Sequence, residues 1–425
     1  MQIFKFGGAS VKDPEGVKNI ARIVKNYSSK PLVIVVSAMG KTTNALEKVA
    51  EAYFYSKADP KSLLNEVRNY HQSILKTLFP KENEPMYADI EECFAAIEWD
   101  LEDAPIKGYD FHYDQIVSLG ELVSTKIVAA WLNTEGITTE WLEARDFIKT
   151  DDTWREGRIL WTETQDAISS LLAPKIKANP YFVGVVQGFV GATSENYTIT
   201  LGREGSDYTA SIFAYCLNAD SVTIWKDVPG VLNADPKYFS ETIMLSQISF
   251  EDAIELAYFG AGVIHPKTIQ PIRSKNIPLY VKSFIHPEND GTVINANANP
   301  KPVPSFIFKV KQVLISITTR DFSFVVEDHL AEIFGLFAEH GLKINFMQNS
   351  AVSFSVVVSF DEFKILAVIK SLEETFNVIK SEGLELITIR YFNQETIDRL
   401  MVEKELLLEM RAGETLQMVV KPVAN

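Results

Sequence analysis

The sequence predicts an α/β chain: a largely parallel, covered sheet followed by small antiparallel α+β modules. Three observations carry that reading. Uninterrupted apolar runs such as 31–37 (PLVIVVS) leave no solvent face, as strands covered on both sides do. Up to about residue 285 such runs alternate with segments of helical period, the pattern of a parallel sheet with crossover helices. Beyond a Pro/Asn-rich stretch at 295–304 (NANANPKPVP), the order becomes strand, helix, strand, strand, helix, that of a small antiparallel module.

This divides the chain into a first domain at 1–294, a linker at 295–304, a module at 305–382 and a shorter one at 383–425, with the strand at 305–311 available to both modules. A length of 425 residues and 46% hydrophobic composition suffice for two or three buried cores. A net charge of -15 and a pI near 5.0 argue against a nucleic-acid-binding face and against attraction to anionic membranes. Cys93 and Cys216 lie in no CxxC or Cys/His pattern, so core thiols are expected rather than a disulfide framework or a zinc site, and no metal-ligating set is read. The start MQIFKFGGAS has no long apolar run after a basic region, and no later segment is expected to reach bilayer-spanning length, so a cytoplasmic protein is expected.

In chain order, Ile3 to Phe6 reads as a buried strand that breaks at Gly7-Gly8 and enters a helix from about Asp13, with Pro14 suited to the first turn. Glycines let the backbone approach a phosphate, and Lys5 brings a point charge to the same place; a plain turn with a solvated lysine reads the same way. GxxxxGK[ST] is absent, which excludes a Walker A loop. The strand PLVIVVS exits through Ser37-Ala38-Met39-Gly40 into Lys41-Thr42-Thr43-Asn44. Small hydroxylated residues there either meet a ligand at a strand's carboxyl end or only cap the next helix. From Ala45 to about Asp103 the pattern is helical and polar-faced, with breaks near Phe79-Pro80 and Asn83 to Pro85, placed as a flank or lid without chemistry of its own. Tyr113 to Trp131 is helical, and Glu121 beside Gly120 either complements the helix dipole or accepts an amino group. Gly136 to Trp141 and Tyr181 to Val186 are further strands.

The stretch Gly184 to Ser211 organises the rest. A short apolar run passes through a polar turn and a Gly-Arg-Glu-Gly-Ser-Asp loop into an amphipathic helix, which points backbone N–H groups and the positive helix end at an anion, phosphate or carboxylate. Arg203 offers a planar fork for a carboxylate, and Asp207 offers a charge and a helix cap; an ordinary capped turn is the plainer alternative. Ser221 to Trp225 is a strand ending in a heavily decorated connection, Lys226 to Lys237, whose acids and lysines favour contact with a nucleotide over scaffolding. Phe250 to Ala261 is helical, His265 before a proline reads as structural, and Ile277 to Val281 is the last strand of this domain. In the tail, Phe306 to Thr318 gives one or two strands, Leu330 to His340 a helix, Lys343 to Met347 and Val352 to Phe360 strands, and Asp361 to Phe376 a helix. Leu384 to Tyr391, a helix to about Met410, and Leu416 to Lys421 follow.

KFGGAS, VVSAMGKTTN, SLGE, LGREGSDYTA, IWKDVPGVLNADP and FGAGVIHPKT occur in this order across most of residues 1–285. Together they resemble the aspartate kinases of the amino-acid kinase fold, and the tail is similar to that family's paired regulatory ACT modules, which are ferredoxin-like. The resemblance implies ATP-dependent phosphorylation of the L-aspartate side-chain carboxylate to L-aspartyl 4-phosphate, the first step toward lysine, threonine and methionine. It implies Mg²⁺ held mainly through the ATP phosphates, a homodimer formed through residues after about 305, and an amino-acid effector at the ACT modules, with Thr319 to Asp328 as the effector region.

Carried over residue by residue, Lys5, Gly7 and Gly8, with Ser10, hold the phosphates, and Ser37 and Thr43 line the acceptor region. Glu121 takes the substrate α-amino group and Arg203, beside Ser206, its α-carboxylate. Asp207 organises Lys5 and the phosphates, while Lys226, Asp227, Leu232, Lys237 and Val263 border the nucleotide. A carboxylate nucleophile is already ionised at neutral pH, so no strong base is required. Ala9 stands where the family usually has threonine, and Gly262 where many members have a lysine that Lys267 replaces. Glu204 replaces the usual glycine and is expected to point away from the loop or to pair with Lys or Arg. The last module lacks a final strand and helix after Lys421. Two alternatives stay open: a kinase of another acidic or N-acylated amino acid, the latter disfavoured by Glu121, and an amino-acid-sensing protein with little catalysis.

Overall fold

The computed structural model describes residues 1–423 apart from 28, 82–84, 240, 263, 297–301 and 322. Two compact units emerge, one of residues 1–231, 244–254 and 263–300, the other of 232–243, 255–262 and 301–425.

The first unit is built on a sheet whose strands are β1 (Gln2–Phe6), β2 (Leu32–Val36), β3 (Glu140–Leu142), β4 (Val183–Gln187), β7 (Ser221–Lys226), β8 (Gln247–Ser249), β9 (Leu279–Ser283) and β10 (Thr292–Asn295). A separate hairpin pairs β5 (Val190–Ala192) with β6 (Thr198–Thr200). The sheet order is β3-β4-β2-β1-β7-β9-β10-β8, and every neighbouring pair is parallel except β9 with β10. β1 and β7 lie at its centre with β2 beside β1, and β2 is buried at every residue, as its unbroken apolar run requires. The hairpin, β8 and β10 escape the sequence reading, because each is only three or four residues long and shows too little alternation to register.

Alternation along β1 sets up the chemistry. Phe4 and Phe6 face one side, where Phe6 stacks on Trp225 with ring centroids 6.1 Å apart, so Lys5 faces the other. The helix Pro14–Lys25 starts as its sequence suggests, with the Asp13 side chain accepting from the Gly16 N–H and proline in the first turn. The run Tyr109–Thr134 corrects one expectation: by length and composition it could cross a bilayer. Its most apolar window is 67% buried, as in the core helices of globular domains, which meet the same criterion.

The second unit carries one antiparallel six-stranded sheet, β12-β13-β11-β14-β16-β15, made of β11 (Ser305–Thr319), β12 (Ile344–Asn349), β13 (Ser353–Ser359), β14 (Phe376–Arg390), β15 (Lys404–Ala412) and β16 (Thr415–Pro422). β11 is one long strand rather than two. It bends at Lys311, which has φ 55°, opposite a bend in β14 at Gly383 with φ 71°, and the two strands pair on both sides of the irregularity. The position 382/383 therefore falls inside β14. Helix Asp361–Phe376 is shorter than read, covering Glu362–Leu372, and the helix expected up to Met410 covers only Gln394–Leu400. Residues 404–412 (KELLLEMRA) are rich in helix formers, yet they pair along β16 in a hairpin; the cross-strand ladder overrides local preference.

Candidate active site

The site lies at the carboxyl ends of the parallel strands, where an open α/β sheet exposes strand ends to ligands. β1 and β7 are hydrogen-bonded neighbours with Lys5 opposite Ile224 and Phe6 opposite Trp225, so Lys5 and Lys226 leave the same face of the sheet two residues apart in register. Both turn to the same acid. Lys5 Nζ lies 2.5 Å from Asp207 Oδ1, and Lys226 Nζ lies 3.6 Å from Oδ2. Asp207 stands in the first turn of the helix Gly205–Leu217 and is fully buried. Burial pushes its carboxyl up, but the Lys5 and Lys226 ammoniums overcome that and hold it below the ordinary range. It does not cap the helix as the sequence suggested; Glu204 occupies the cap position, without a capping side-chain bond.

Gly7 and Gly8 form the turn that leads from β1 into the short helical turn Gly8–Val11. Gly8 is fixed by space: a Cβ there would meet the carbonyl oxygens of Ala38 at 2.7 Å and Gly40 at 2.9 Å, and the Gly40 N–H donates to the Gly8 carbonyl. Through this contact the Lys5 turn and the loop after β2 form one wall. The latter loop also positions Glu121. Its Oε1 accepts the Ala38 N–H at 3.1 Å, its Oε2 is buried without a hydrogen bond, and burial raises its pKa to about 8 against the opposing pull of that N–H and of Lys5.

A cavity of about 750 Å³ opens in front of these groups, and Lys5, Ser37, Thr43, Glu121, Arg203 and Ser206 all line it. Arg203 is exposed and has no ion pair among the described residues. Ser206 is buried against Gly188, where an added Cβ would sit 2.5 Å from the serine side chain. Ser10 and Asp227 line a neighbouring cleft of about 360 Å³ instead. Leu232 and Lys237 belong to the second unit, and Val263 lies outside the described residues. His265 is structural, accepting the Lys267 N–H at 3.1 Å, and Cys93 and Cys216 are buried free thiols.

Glu204 departs from expectation. It lines the cavity rather than pointing away, at φ 56°, a left-handed conformation that costs a residue with a side chain about 1–2 kcal/mol. Burial, followed by the Asp207 charge, raises the Glu204 pKa, against Lys226 and Lys5.

One wall of the cavity escaped the sequence reading. Residues 153–156 reach it from a loop whose Arg155 guanidinium lies 4.1 Å from the Tyr113 ring and pairs with Asp110 at 3.4 Å and Glu47 at 3.6 Å. Asp114 anchors this wall. Fully buried, it accepts the Arg155 N–H at 2.8 Å and the Thr200 hydroxyl at 2.6 Å, and burial raises its pKa to about 7 despite those bonds. The acids and aromatics of 109–114 (YDFHYD) were the available signal, but an acid on a helix ordinarily means a solvated face.

The amino acid kinase family model matches residues 1–283. The lysine-sensitive aspartokinase 3 of Escherichia coli is 30% identical over 396 residues, 91% of this chain and 86% of that protein. The chloroplastic aspartokinase 1 of Arabidopsis thaliana is 33% identical over 367 residues, 84% of this chain and 63% of that protein. Two crystal structures of E. coli aspartokinase III, each 26% identical, cover 99% of this chain and 96% of theirs. The T-state complex with lysine and aspartate has a TM-score of 0.84, and the R-state complex with aspartate and ADP one of 0.82. With the family model spanning the whole parallel sheet up to β9, and aspartokinases alike over most of its length, this chain belongs to the amino acid kinase family, among the aspartokinases.

Proposed function

We propose that the protein transfers the γ-phosphoryl group of ATP to the side-chain carboxylate of L-aspartate, giving L-aspartyl 4-phosphate and ADP. The observation that carries this reading is the paired Lys5–Asp207–Lys226 cluster, whose Lys5 shares one cavity with Glu121 and Arg203. Phosphoryl transfer asks the protein mainly to place groups in line and to neutralise charge. Lys5, held at the strand end by Asp207, takes the phosphates together with the backbone of Gly7 and Gly8. Arg203, with no ion pair among the described residues, takes the substrate α-carboxylate as a fork. Glu121 takes the α-ammonium. With its pKa raised to about 8, it is largely protonated at pH 7, so pairing with an ammonium expels a proton to solvent. Ser37, Thr43 and Ser206 complete the lining, and the nucleophilic carboxylate needs no base.

We further propose that Mg²⁺ arrives on the nucleotide, bound mainly through its phosphates. That ion supplies charge neutralisation on the phosphates. For the second unit we propose paired regulatory modules that bind an end-product amino acid near Thr319 to Asp328 and form a homodimer. The T-state structure of E. coli aspartokinase III in complex with lysine and aspartate supports the first part.

A coupled ADP-release assay tests the reading. Turnover is expected with L-aspartate and not with glutamate or acetylglutamate, and nucleotide hydrolysis indifferent to aspartate would refute it. Repeating the assay with lysine and threonine tests the regulatory part, and elution as a monomer at micromolar concentration would refute the dimer.

A further inference from the structure

We propose that Glu204 is a binding-determining residue, an internal anion that competes with nucleotide phosphate for Lys5 and Lys226 and admits the phosphates when it carries a proton. The inference rests on the reading of the Lys5 corner as the phosphate site. Two independent features of the chain point to it. The backbone at Glu204 is left-handed, a conformation glycine would adopt freely, so a side chain there is held at a cost. That side chain turns inward and lines the cavity with Lys5, where burial and then the Asp207 charge favour its protonated form.

The surroundings define the competition. β1 presents Lys5, β7 presents Lys226, and the helix behind presents Asp207. Glu121 on Leu119–Thr134, Asp110 on Tyr109–Val117, Arg155 and Glu156 on the facing loop, and the adjoining Arg203 are the other charged groups of the cavity. The two ammoniums favour ionised Asp207, whereas burial and the Asp207 charge favour protonated Glu204. Protonated, Glu204 is neutral and adds no negative charge to the corner that the incoming polyanion enters. Ionised, it adds a second negative charge to the corner the phosphates must enter.

The test is calorimetric binding of ADP with Mg²⁺, without aspartate, to the full chain and to Glu204→Gln between pH 5.5 and 9. Relative to the variant, wild-type affinity is expected to fall with rising pH, toward about tenfold per pH unit once Glu204 is ionised in the free protein. Wild type is also expected to take up more protons on binding than the variant, as read in buffers of different ionisation heat. The ratio of ATP KM values, wild type over variant, rises with pH while kcat keeps a constant ratio. Titration of Glu121 and of the nucleotide is common to both proteins and cancels. Glu204→Gly, which also relieves the backbone, serves as a second variant and should match Glu204→Gln. ADP binding with identical pH profiles and proton uptake in wild type and variants overturns the inference alone. A wild type that neither binds ADP nor releases it with aspartate overturns the phosphate reading and the inference together.

Discussion

The two ends of the cavity are prepared in opposite ways. At the Lys5 end the charges are paired and buried: Asp207 is fully enclosed, Lys5 nearly so, and both lysines are held before any ligand arrives. At the Arg203 end the cation stands in solvent with no ion pair among the described residues. Electrostatic catalysis depends on charge that does not reorganise during reaction, whereas recognition of a small zwitterion needs only a group free to grip. The contrast assigns chemistry to the first end and selection to the second.

Breaking the buried end should have the largest effect. Lys5→Ala is expected to lower kcat by about 10²–10³-fold, the scale of losing one fixed stabilising group. It should also cost about 3 kcal/mol of stability, because Asp207 loses its nearer partner inside the protein. ADP release and urea unfolding measure the two, and near-normal kcat would erase the distinction between the ends.

Glu121 sharpens the contrast through pH. Its carboxyl is raised to about 8 when folded and reverts toward the ordinary value when unfolded, so the unfolded chain binds fewer protons between those values. Stability then falls as pH rises from about 4.5 to 8 and levels off above, by about 5 kcal/mol. Glu121→Gln should flatten that slope in denaturant titrations while weakening aspartate binding. An unchanged slope would mean the carboxyl is ionised in the empty site.

At the open end, Arg203→Ala should raise the aspartate KM about 10–100-fold, the range for one charge-assisted hydrogen-bonding group, with kcat falling less and the melting temperature unmoved. A loss confined to kcat would transfer Arg203 to the chemical end. The smallest effect is expected from Gly8→Ala, where the new methyl group meets two carbonyl oxygens; overpacking of this kind costs about 1–3 kcal/mol. Activity should drop with stability, and an unaffected variant would show that the Lys5 turn and the Ser37 loop are not rigidly coupled.

What the sequence revealed and what it hid follow from the range of the forces involved. β2 was legible because burial on both faces leaves a continuous apolar run, and β1, β4 and β7 because apolar residues dominate them despite single polar or glycine interruptions. Lys5, Glu121, Arg203 and Asp207 were legible because each adjoins a glycine turn or a helix start, where local pattern and chemistry coincide. Glu204 was expected either to point away or to pair with a lysine or arginine; it lines the cavity instead of pointing away, and the charges of Lys226 and Lys5, from separate strands, offset part of the cost of the inward position, without an ion pair among the described residues. Asp114 and Arg155 meet only through folding, 41 residues apart, and nothing local marks them. The 404–412 segment shows the same limit, since its strand exists only because β16 lies beside it.

β11 and β14 each run through both halves of the second unit as a single bent ribbon. Cutting the chain at the bend would strip a ladder of amides from whichever half was removed, so neither half is an exchangeable cassette. A molecule docking on one half would press on the same backbone that frames the other. The pair should therefore answer an effector as one spring rather than as two independent sensors.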